Sequence, residues 1–470
     1  MAQDDIDAQC ASAPFEGPEK LLEIWFAPSV ADLPDASAAL ADGRCGLRKV
    51  KKETWEDMLA IVKCKVLSVV EGKEIDAYLL RWAKHLNVVP EVSLNHAFDS
   101  ESSLFVAPHR LILKTCGTTL NLLGLPRILE IARNEASLPS VYRLFYSRKS
   151  FMFPERQLGP HREWKDEVQY LDAIFRNGSA YTIGKVNGDH WLLYITAPGE
   201  DGPAETAPNS PATLSPAPFE NEDVENPADA SAEVDELQTQ DYTIEILMSQ
   251  LSLEARKPFF SISESNSESS ADECSNDGIA LSSAIGISDI FPPHLTTLDA
   301  YSFTPCGYSS NALLKWGNAV NNEEFKYGSR QAAHSGGEGY FTIHVTPEEG
   351  WSYASFECNV PLRTHPSCQP EDIPDLKTLI RRVVKIFQPG RLTLTLFISS
   401  EDNNNAEDEE GETTSEAAQR AFKAALTVPH ISSPKSNGCG GHGIRKYKRT
   451  DKINYEFGGY DLAFASFELR

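Results

Sequence analysis

No apolar run in this 470-residue chain approaches the roughly 18–20 residues that a membrane-spanning helix needs, so no helical membrane protein is expected. Basic residues are scarce: 43 Lys and Arg stand against 68 Asp and Glu, and no basic stripe marks a nucleic-acid surface. Residues 1–14 are polar and acidic and lack the charged-then-apolar pattern of a secretory leader, so they are expected to be a disordered N-terminus. The nine cysteines are an odd number, and they run from Cys10 to Cys439 without regular spacing. That pattern fits a reducing compartment better than a disulfide framework, so a cytoplasmic protein is expected. Cys439 and His442 lie in a Gly-rich stretch without further ligands at structural-zinc spacing, so no metal is expected.

The formal net charge of −25 is unevenly spread. Residues 200–240 hold 11 acidic side chains, 263–277 hold 5 and 401–416 hold 8, with no Lys or Arg in any of the three. These Pro-, Ser-, Asn- and Ala-rich stretches are too polar to offset the entropy of ordering. They are expected to be surface insertions, leaving a nearly neutral folded part. The acidity is therefore no sign of a basic partner.

Strand-like runs outnumber helices and recur in two halves. Lys63 to Val70, Arg110 to Thr115 and Ala180 to Thr196 read as strands in the first half, the last with an Asn187-Gly188 hairpin signal. Tyr340 to Thr346, Ser352 to Cys358, Leu392 to Ser399 and Asp461 to Leu469 read as strands in the second. Leu120 to Ala136 is helix-like. A clearer helix follows Asp375, where Leu376, Leu379, Ile380, Val383, Val384 and Phe387 form one apolar stripe that Gln388-Pro389-Gly390 ends. One-faced helices beside mostly antiparallel strands predict an α+β protein with sheets packed together and helices outside.

Ser100-Glu101-Ser102-Ser103 is followed, fourteen residues after Ser102, by Cys116 in Lys114-Thr115-Cys116-Gly117-Thr118-Thr119. Five further blocks keep the same order: Phe15 to Glu23, Phe145 to Lys149, Thr243 to Met248, Pro305 to Ser309 and Thr342 to Glu348. Together they resemble the eukaryotic S-adenosylmethionine decarboxylases, proenzymes that cut their own backbone before a serine. The resemblance runs from about Phe15 to Phe467. It implies one domain over 15–470, a four-layer α/β/β/α sandwich of two large antiparallel sheets, divided into a small chain to 101 and a large chain from 102. Insertions are expected at about 81–99, 199–240, 262–277, 311–338 and 401–416.

The same resemblance implies the chemistry. Ser102 Oγ would attack the Glu101 carbonyl, and elimination of the resulting ester would leave a pyruvoyl group at position 102. That group would form a Schiff base with the amine of S-adenosylmethionine, giving the aminopropyl donor of spermidine and spermine synthesis. His344 and Ser309 match the processing residues, Cys116 the proton donor, and Glu16 and Glu19 acidic residues needed for activity. Phe15 and Phe303 match the adenine-stacking pair and Glu348 the ribose ligand, with Glu101 also at the substrate. Glu23, Asp241, Thr243, Glu245, Glu357, Phe145, Phe397, Tyr460 and Lys114 match a putrescine site, and a homodimer of cleaved protomers is implied.

Without that context the residues read otherwise. His344 would be a strand histidine with a buried hydrogen bond, Cys116 an inert small residue, and Ser309 a turn serine after Gly307. Glu16 and Glu19 would be helix-start carboxylates, and Glu245 and Glu357 solvated strand faces. No lysine forms a convincing pyridoxal site.

One departure stands out. Asp76-Ala77-Tyr78-Leu79-Leu80 runs directly into Ser-Glu-Ser-Ser in the family, but here Arg81 to Asp99, 19 residues, intervene. The segment is expected to be a retained intron translated in frame, which sequencing of the transcript tests. It is also expected to make the strand that holds the scissile bond bulge or change partners, and to slow or abolish processing. The competing readings are an unprocessed regulatory homologue and an amide hydrolase with an N-terminal serine nucleophile.

Overall fold

In a computed structural model, residues 15–38, 43–82, 101–197, 241–260, 271–316, 337–364, 373–400, 403, 412–427 and 446–470 are described. Among these residues sixteen strands form two eight-stranded antiparallel sheets. The first holds β1 (Lys20–Trp25), β2 (Cys64–Glu71), β3 (Asp76–Trp82), β4 (Glu101–Val106), β5 (Arg110–Thr115), β6 (Arg143–Lys149), β7 (Gly178–Gly184) and β8 (His190–Thr196). The second holds β9 (Tyr242–Ser249), β10 (Thr296–Ser302), β11 (Tyr308–Trp316), β12 (Gly337–Thr346), β13 (Tyr353–Cys358), β14 (Arg391–Ser399), β15 (Tyr447–Phe457) and β16 (Tyr460–Leu469). Their orders are β2-β3-β4-β5-β1-β6-β8-β7 and β10-β11-β12-β13-β9-β14-β16-β15. Adding eight to each strand number of the first gives the second, so the two halves share one topology.

Helices cover the outer faces. On the first sheet, α1 (Lys52–Ile61), α2 (Leu125–Glu135) and α3 (Trp164–Asp172) close a core holding Trp55, Ile128 and Leu171. On the second, α4 (Ala271–Ile285), α5 (Leu376–Phe387) and α6 (Thr414–Thr427) lie outside, and Leu379, Val383 and Phe387 of α5 enter a core with Phe422. Asp375 caps α5 by accepting the Thr378 N–H, and Gln388 ends it in the left-handed region at φ 45°. The α/β/β/α layering expected from the sequence is present. Among the described residues no helix is long and apolar enough to cross a membrane.

Between the sheets, side chains from both inner faces meet in smaller apolar clusters around Phe145, Tyr460 and Phe464, and around Phe105, Ile112 and Tyr340. The rest of this layer is polar and buried, with Glu19, Lys114, His344 and Glu357 at most 5% exposed. A two-sheet fold alternates inward and outward residues along each strand. Here the polar members of that alternation face another sheet, not water.

Several expectations are corrected. The segment expected at 81–99 does not bulge a strand: β3 and β4 are antiparallel neighbours, paired from Asp76↔Val106 to Arg81↔Glu101 without a register shift. The extra residues therefore lengthen a hairpin connection, with Arg81 and Trp82 inside β3; the rest of the segment lies outside the described residues. The register shift in this neighbourhood falls on the pairing of β2, between Val66 and Ser68. The expected insertion 311–338 shrinks, because Asn311–Trp316 belong to β11 and Gly337 and Glu338 to β12. Likewise 271–277 belong to α4, and 414–416 to α6. Asn403 is buried and accepts the Ser415 N–H at 2.9 Å. Residues 1–14, 199–240 and the Cys439–His442 pair lie outside the described residues.

Candidate active site

The site sits where β4 and β5 of one sheet face β11, β12 and β13 of the other. Alternation along β4 sends Ser102 and Ser103 to opposite faces. Ser103, paired with Lys114, faces the second sheet. Its Oγ donates to Asn311 Oδ1 at 2.7 Å and lies 3.0 Å from His344 Nε2 and 3.2 Å from Thr342 Oγ1. Ser102, paired with Leu80 and Thr115, turns towards the helix-covered core. Its fully buried hydroxyl has no nitrogen or oxygen partner among the described residues, and the Cys64 thiol is its polar neighbour.

The expected processing set is thus brought together in part. Ser309 and His344 occupy paired positions on β11 and β12. Ser309 Oγ is buried without a partner among the described residues. His344 reaches Ser103 directly, while Ser102 presents its backbone from the same strand. Glu101 begins β4.

His344 Nδ1 lies 3.1 Å from Glu19 Oε1. Tyr353 donates to Glu19 Oε2 at 2.8 Å, and the Ser355 hydroxyl also bonds the carboxylate. Burial raises the Glu19 carboxyl, but Lys114, then His344 and Ser355, outweigh it and hold the group at about 2. Burial lowers the pKa of His344, and Glu19 opposes that. Glu19 and Glu16 do not start a helix: they lie in an extended segment leading into β1. Between them, Gly17 allows close approach, since a Cβ there would meet Tyr353 Cβ at 2.6 Å.

Cys116 follows the last residue of β5 and is 1% exposed. The turn after it is held from three sides. Thr119 Oγ1 donates to the Cys116 carbonyl at 2.8 Å, Gly117 N–H to the Glu16 carbonyl at 3.0 Å, and Lys20 Nζ to the Gly117 carbonyl at 2.9 Å. Glu16 also accepts the Met152 and Phe153 N–H groups at 2.8 and 2.7 Å. Its pKa is raised by burial. Burial pulls Lys20 down to about 8, with Cys116, Glu16 and Glu167 opposing.

Lys114 lies on the same inter-sheet face, with Nζ 2.6 Å from Glu357 and 3.8 Å from Glu245. Tyr340 donates to Glu357 at 2.7 Å and Thr395 to Glu245 at 3.3 Å. Burial lifts Glu245 to about 8, with Lys114 opposing. Further along, Glu23 accepts from Trp25 at 2.8 Å and pairs with Arg110 at 3.4 Å. Burial lifts it to about 7, with Asp241 adding to the effect of burial and Arg110 opposing. Tyr460 bonds Asp241 and stacks on Phe397 at 4.6 Å, and Phe145 meets both rings edge-on. Thr243 pairs with Phe397 across β9 and β14. The nine expected diamine-site residues therefore lie on neighbouring strands of the two sheets, in one group about Lys114 and another about Tyr460 and Glu23.

The expected adenine pair is not assembled by direct contact. Phe303 packs with Tyr301 and Leu79, and among the described residues no ring contact joins it to half-buried Phe15. Glu348 lies just beyond β12, half-buried, with a carboxyl raised by burial. Sequence reasoning missed Ser103, Asn311, Thr342, Tyr353, Ser355 and Lys20. Polar residues alternate with apolar ones through Thr342-Ile343-His344-Val345, and that pattern normally marks a strand with one wet face. Only the second sheet turns it into a buried network.

Among the described residues no three His, Cys, Asp or Glu side chains converge as a metal site. The profile of the family described as adenosylmethionine decarboxylase matches residues 12–468. The S-adenosylmethionine decarboxylase proenzyme of Saccharomyces cerevisiae is 31% identical, over 97% of this chain and 93% of its own length. The proenzyme of Xenopus laevis is 31% identical, over 96% of this chain and 95% of its own. A crystal structure of the Trypanosoma brucei AdoMetDC-delta26 monomer aligns at 19% identity with a TM-score of 0.45, over 78% of this chain and 99% of that one.

Proposed function

The chain belongs to the adenosylmethionine decarboxylase family, and from that premise we propose that it is a proenzyme that cleaves itself before Ser102 and then decarboxylates S-adenosylmethionine. The carrying observation is the buried Glu19–His344 pair, set beside the unpartnered Ser309 hydroxyl and directly across from the serines of β4.

Attack of Ser102 Oγ on the Glu101 carbonyl closes a five-membered ring. It depends on rotation about the serine's own χ1, so the outward rotamer of Ser102 is one staggered step of about 120° from another well. The C–O bond forms as the C–N bond breaks, giving an ester and a free amine. Loss of the Ser102 α-proton then expels the Glu101 carboxylate, and water replaces nitrogen as ammonia leaves. His344, held by Glu19, is the base for that proton. Ser309, with a hydroxyl left uncommitted, is suited to bonding the transient oxyanion.

A ketone next to an amide at position 102 would supply the electron sink that decarboxylation of an α-amino acid requires. The residues present fit such a group, because the buried Ser309 hydroxyl has no oxygen or nitrogen partner among the described residues and would be available to donate to a carbonyl there. Cys116, fixed by its turn, is the proton donor to the substrate. Phe15 and Phe303 take the adenine and Glu348 the ribose. The two groups, Glu23 and Asp241 with Glu245, Glu357 and Lys114, take putrescine, whose two charges match their buried carboxylates. We assign the protein to cytoplasmic spermidine and spermine synthesis, as a homodimer of cleaved protomers.

Mass spectrometry of the purified chain tests this. Two chains divided after Glu101 are expected, the larger with a blocked terminus that borohydride reduces, together with CO₂ release from S-adenosylmethionine. An intact chain with an ordinary amine overturns it. The outward Ser102 hydroxyl and the long β3–β4 connection favour one second reading, an unprocessed form. Removing residues 83–99 separates the two, since cleavage that appears only in the shortened chain supports the second.

A further inference from the structure

Each hydrogen around His344 Nε2 is already committed. Asn311 Nδ2 donates to the Tyr78 carbonyl at 3.0 Å, which fixes the amide so that Oδ1 faces Ser103. The single Ser103 hydroxyl hydrogen goes to that Oδ1 at 2.7 Å. Thr342 gives its own to the Ser310 carbonyl at 3.1 Å. A hydroxyl has one donor and two acceptor positions. Both oxygens therefore turn only lone pairs towards Nε2, Ser103 at 3.0 Å and Thr342 at 3.4 Å. A bare Nε2 would face two acceptors with no hydrogen between them.

We propose that Ser103, oriented by Asn311, is a positioning residue that holds a proton on His344 Nε2 in the intact chain, so that the imidazole must shed this proton before it can act as the base. The inference deepens the proposed self-cleavage and rests on it. Ser103 matters here for the direction of its hydroxyl, which Asn311 dictates from the other sheet.

The charged groups that act on His344 are Glu19 on the N-terminal segment, Lys114 on β5 and Glu357 on β13, with Tyr353 bonded to Glu19 and Glu245 on β9 paired with Lys114. The Glu19 carboxylate accepts from Nδ1 while Ser103 and Thr342 accept from Nε2, so both ring nitrogens are asked to donate. Burial opposes this most and Lys114, the positive neighbour, adds to it, so the His344 pKa is lowered and the proton rests on the geometry of its acceptors; the charge of Lys114 is itself met by Glu357 and Glu245. Self-cleavage should accordingly rise with pH through the His344 ionisation. Removing the Ser103 acceptor should make the Nε2 proton easier to lose.

The test uses the full chain in two forms. In the intact Ser102→Ala chain, labelled with ¹⁵N-histidine, the Nε2 signal of His344 should be that of a protonated nitrogen; an unprotonated Nε2 overturns the proposal. In the self-cleaving chain, Ser103→Ala should move the pH profile of cleavage down by about one unit, and Ser103→Thr should restore it. A Ser103→Ala chain that cleaves with an unmoved profile overturns the positioning role, because a merely structural loss alters rate alone. If the unmutated chain never cleaves, the proposed function fails, while the nitrogen signal in Ser102→Ala still decides the protonation.

Discussion

At the scale of the residue, Glu19 and Gly17 carry the sharpest consequences. Glu19→Gln keeps the shape of the side chain but removes the charge that holds His344, so self-cleavage should slow on the order of 100-fold. Following the intact chain by mass against time checks this. The sign of its pH effect also follows. A carboxyl held at about 2 when folded adds stability that is complete above its ordinary value and is lost as pH falls through about 2. Glu19→Gln should therefore remove part of the acid sensitivity of unfolding. Gly17→Ala should slow cleavage as well, because its Cβ would meet the root of the Tyr353 side chain, which cannot swing aside, and Tyr353 anchors Glu19. A Gly17→Ala chain cleaving at the unmutated rate would show that the anchor is dispensable. The sequence blocks singled out His344, Glu19 and Ser309, and the fold brings these three together. Ser103 was not legible, since a second serine beside a scissile one has no signature of its own. Its role depends on which face of β4 it takes and on Asn311, 208 residues away.

Elements were legible where their periodicity was complete. The stripe on α5 gave that helix its true limits, and the Asn187-Gly188 turn marked the β7–β8 hairpin. The β3–β4 connection was misread for a topological reason. Leu80 and Ser102 look like consecutive pieces of one strand in sequence, whereas they are cross-strand partners. A sequence shows an interruption of a motif but not whether the motif turns a corner there. The distinction changes the expected cost, because lengthening a hairpin connection adds only about 0.6 kcal/mol per doubling of its length. Removing residues 83–99 should change stability by no more than about 2 kcal/mol, measured by denaturant unfolding. A larger loss would mean that the segment packs on the fold. Because β4 keeps its pairing with β5 from Ser102↔Thr115 to Val106↔Leu111, strand disruption is no reason for slow cleavage. Any effect of the segment on rate must act at the hairpin end, on Glu101.

For the whole molecule, two sheets of one topology bury a polar layer that neither could bury alone, and pH and diamine should act on that layer together. Glu23 and Glu245 stand at about 7 and 8, above their ordinary value of 4.5, mainly through burial. The folded chain then holds protons that the unfolded chain has released. Stability should consequently fall as pH rises from about 4.5 through 7 to 8, the reverse of the Glu19 effect. If the proposed diamine site is right, bound diamine would supply the missing positive charge, so both carboxyls would ionise and the fall would disappear. Binding should release protons near neutral pH and weaken as pH drops. Saturation at about a hundred times the dissociation constant should stabilise the fold by about 2.7 kcal/mol. Calorimetry of putrescine binding in buffers of different ionisation heat measures the released protons directly. Glu245→Gln should diminish that release, because one of the two raised carboxyls is gone. Binding without proton release in the unmutated chain would place the diamine away from Glu23 and Glu245.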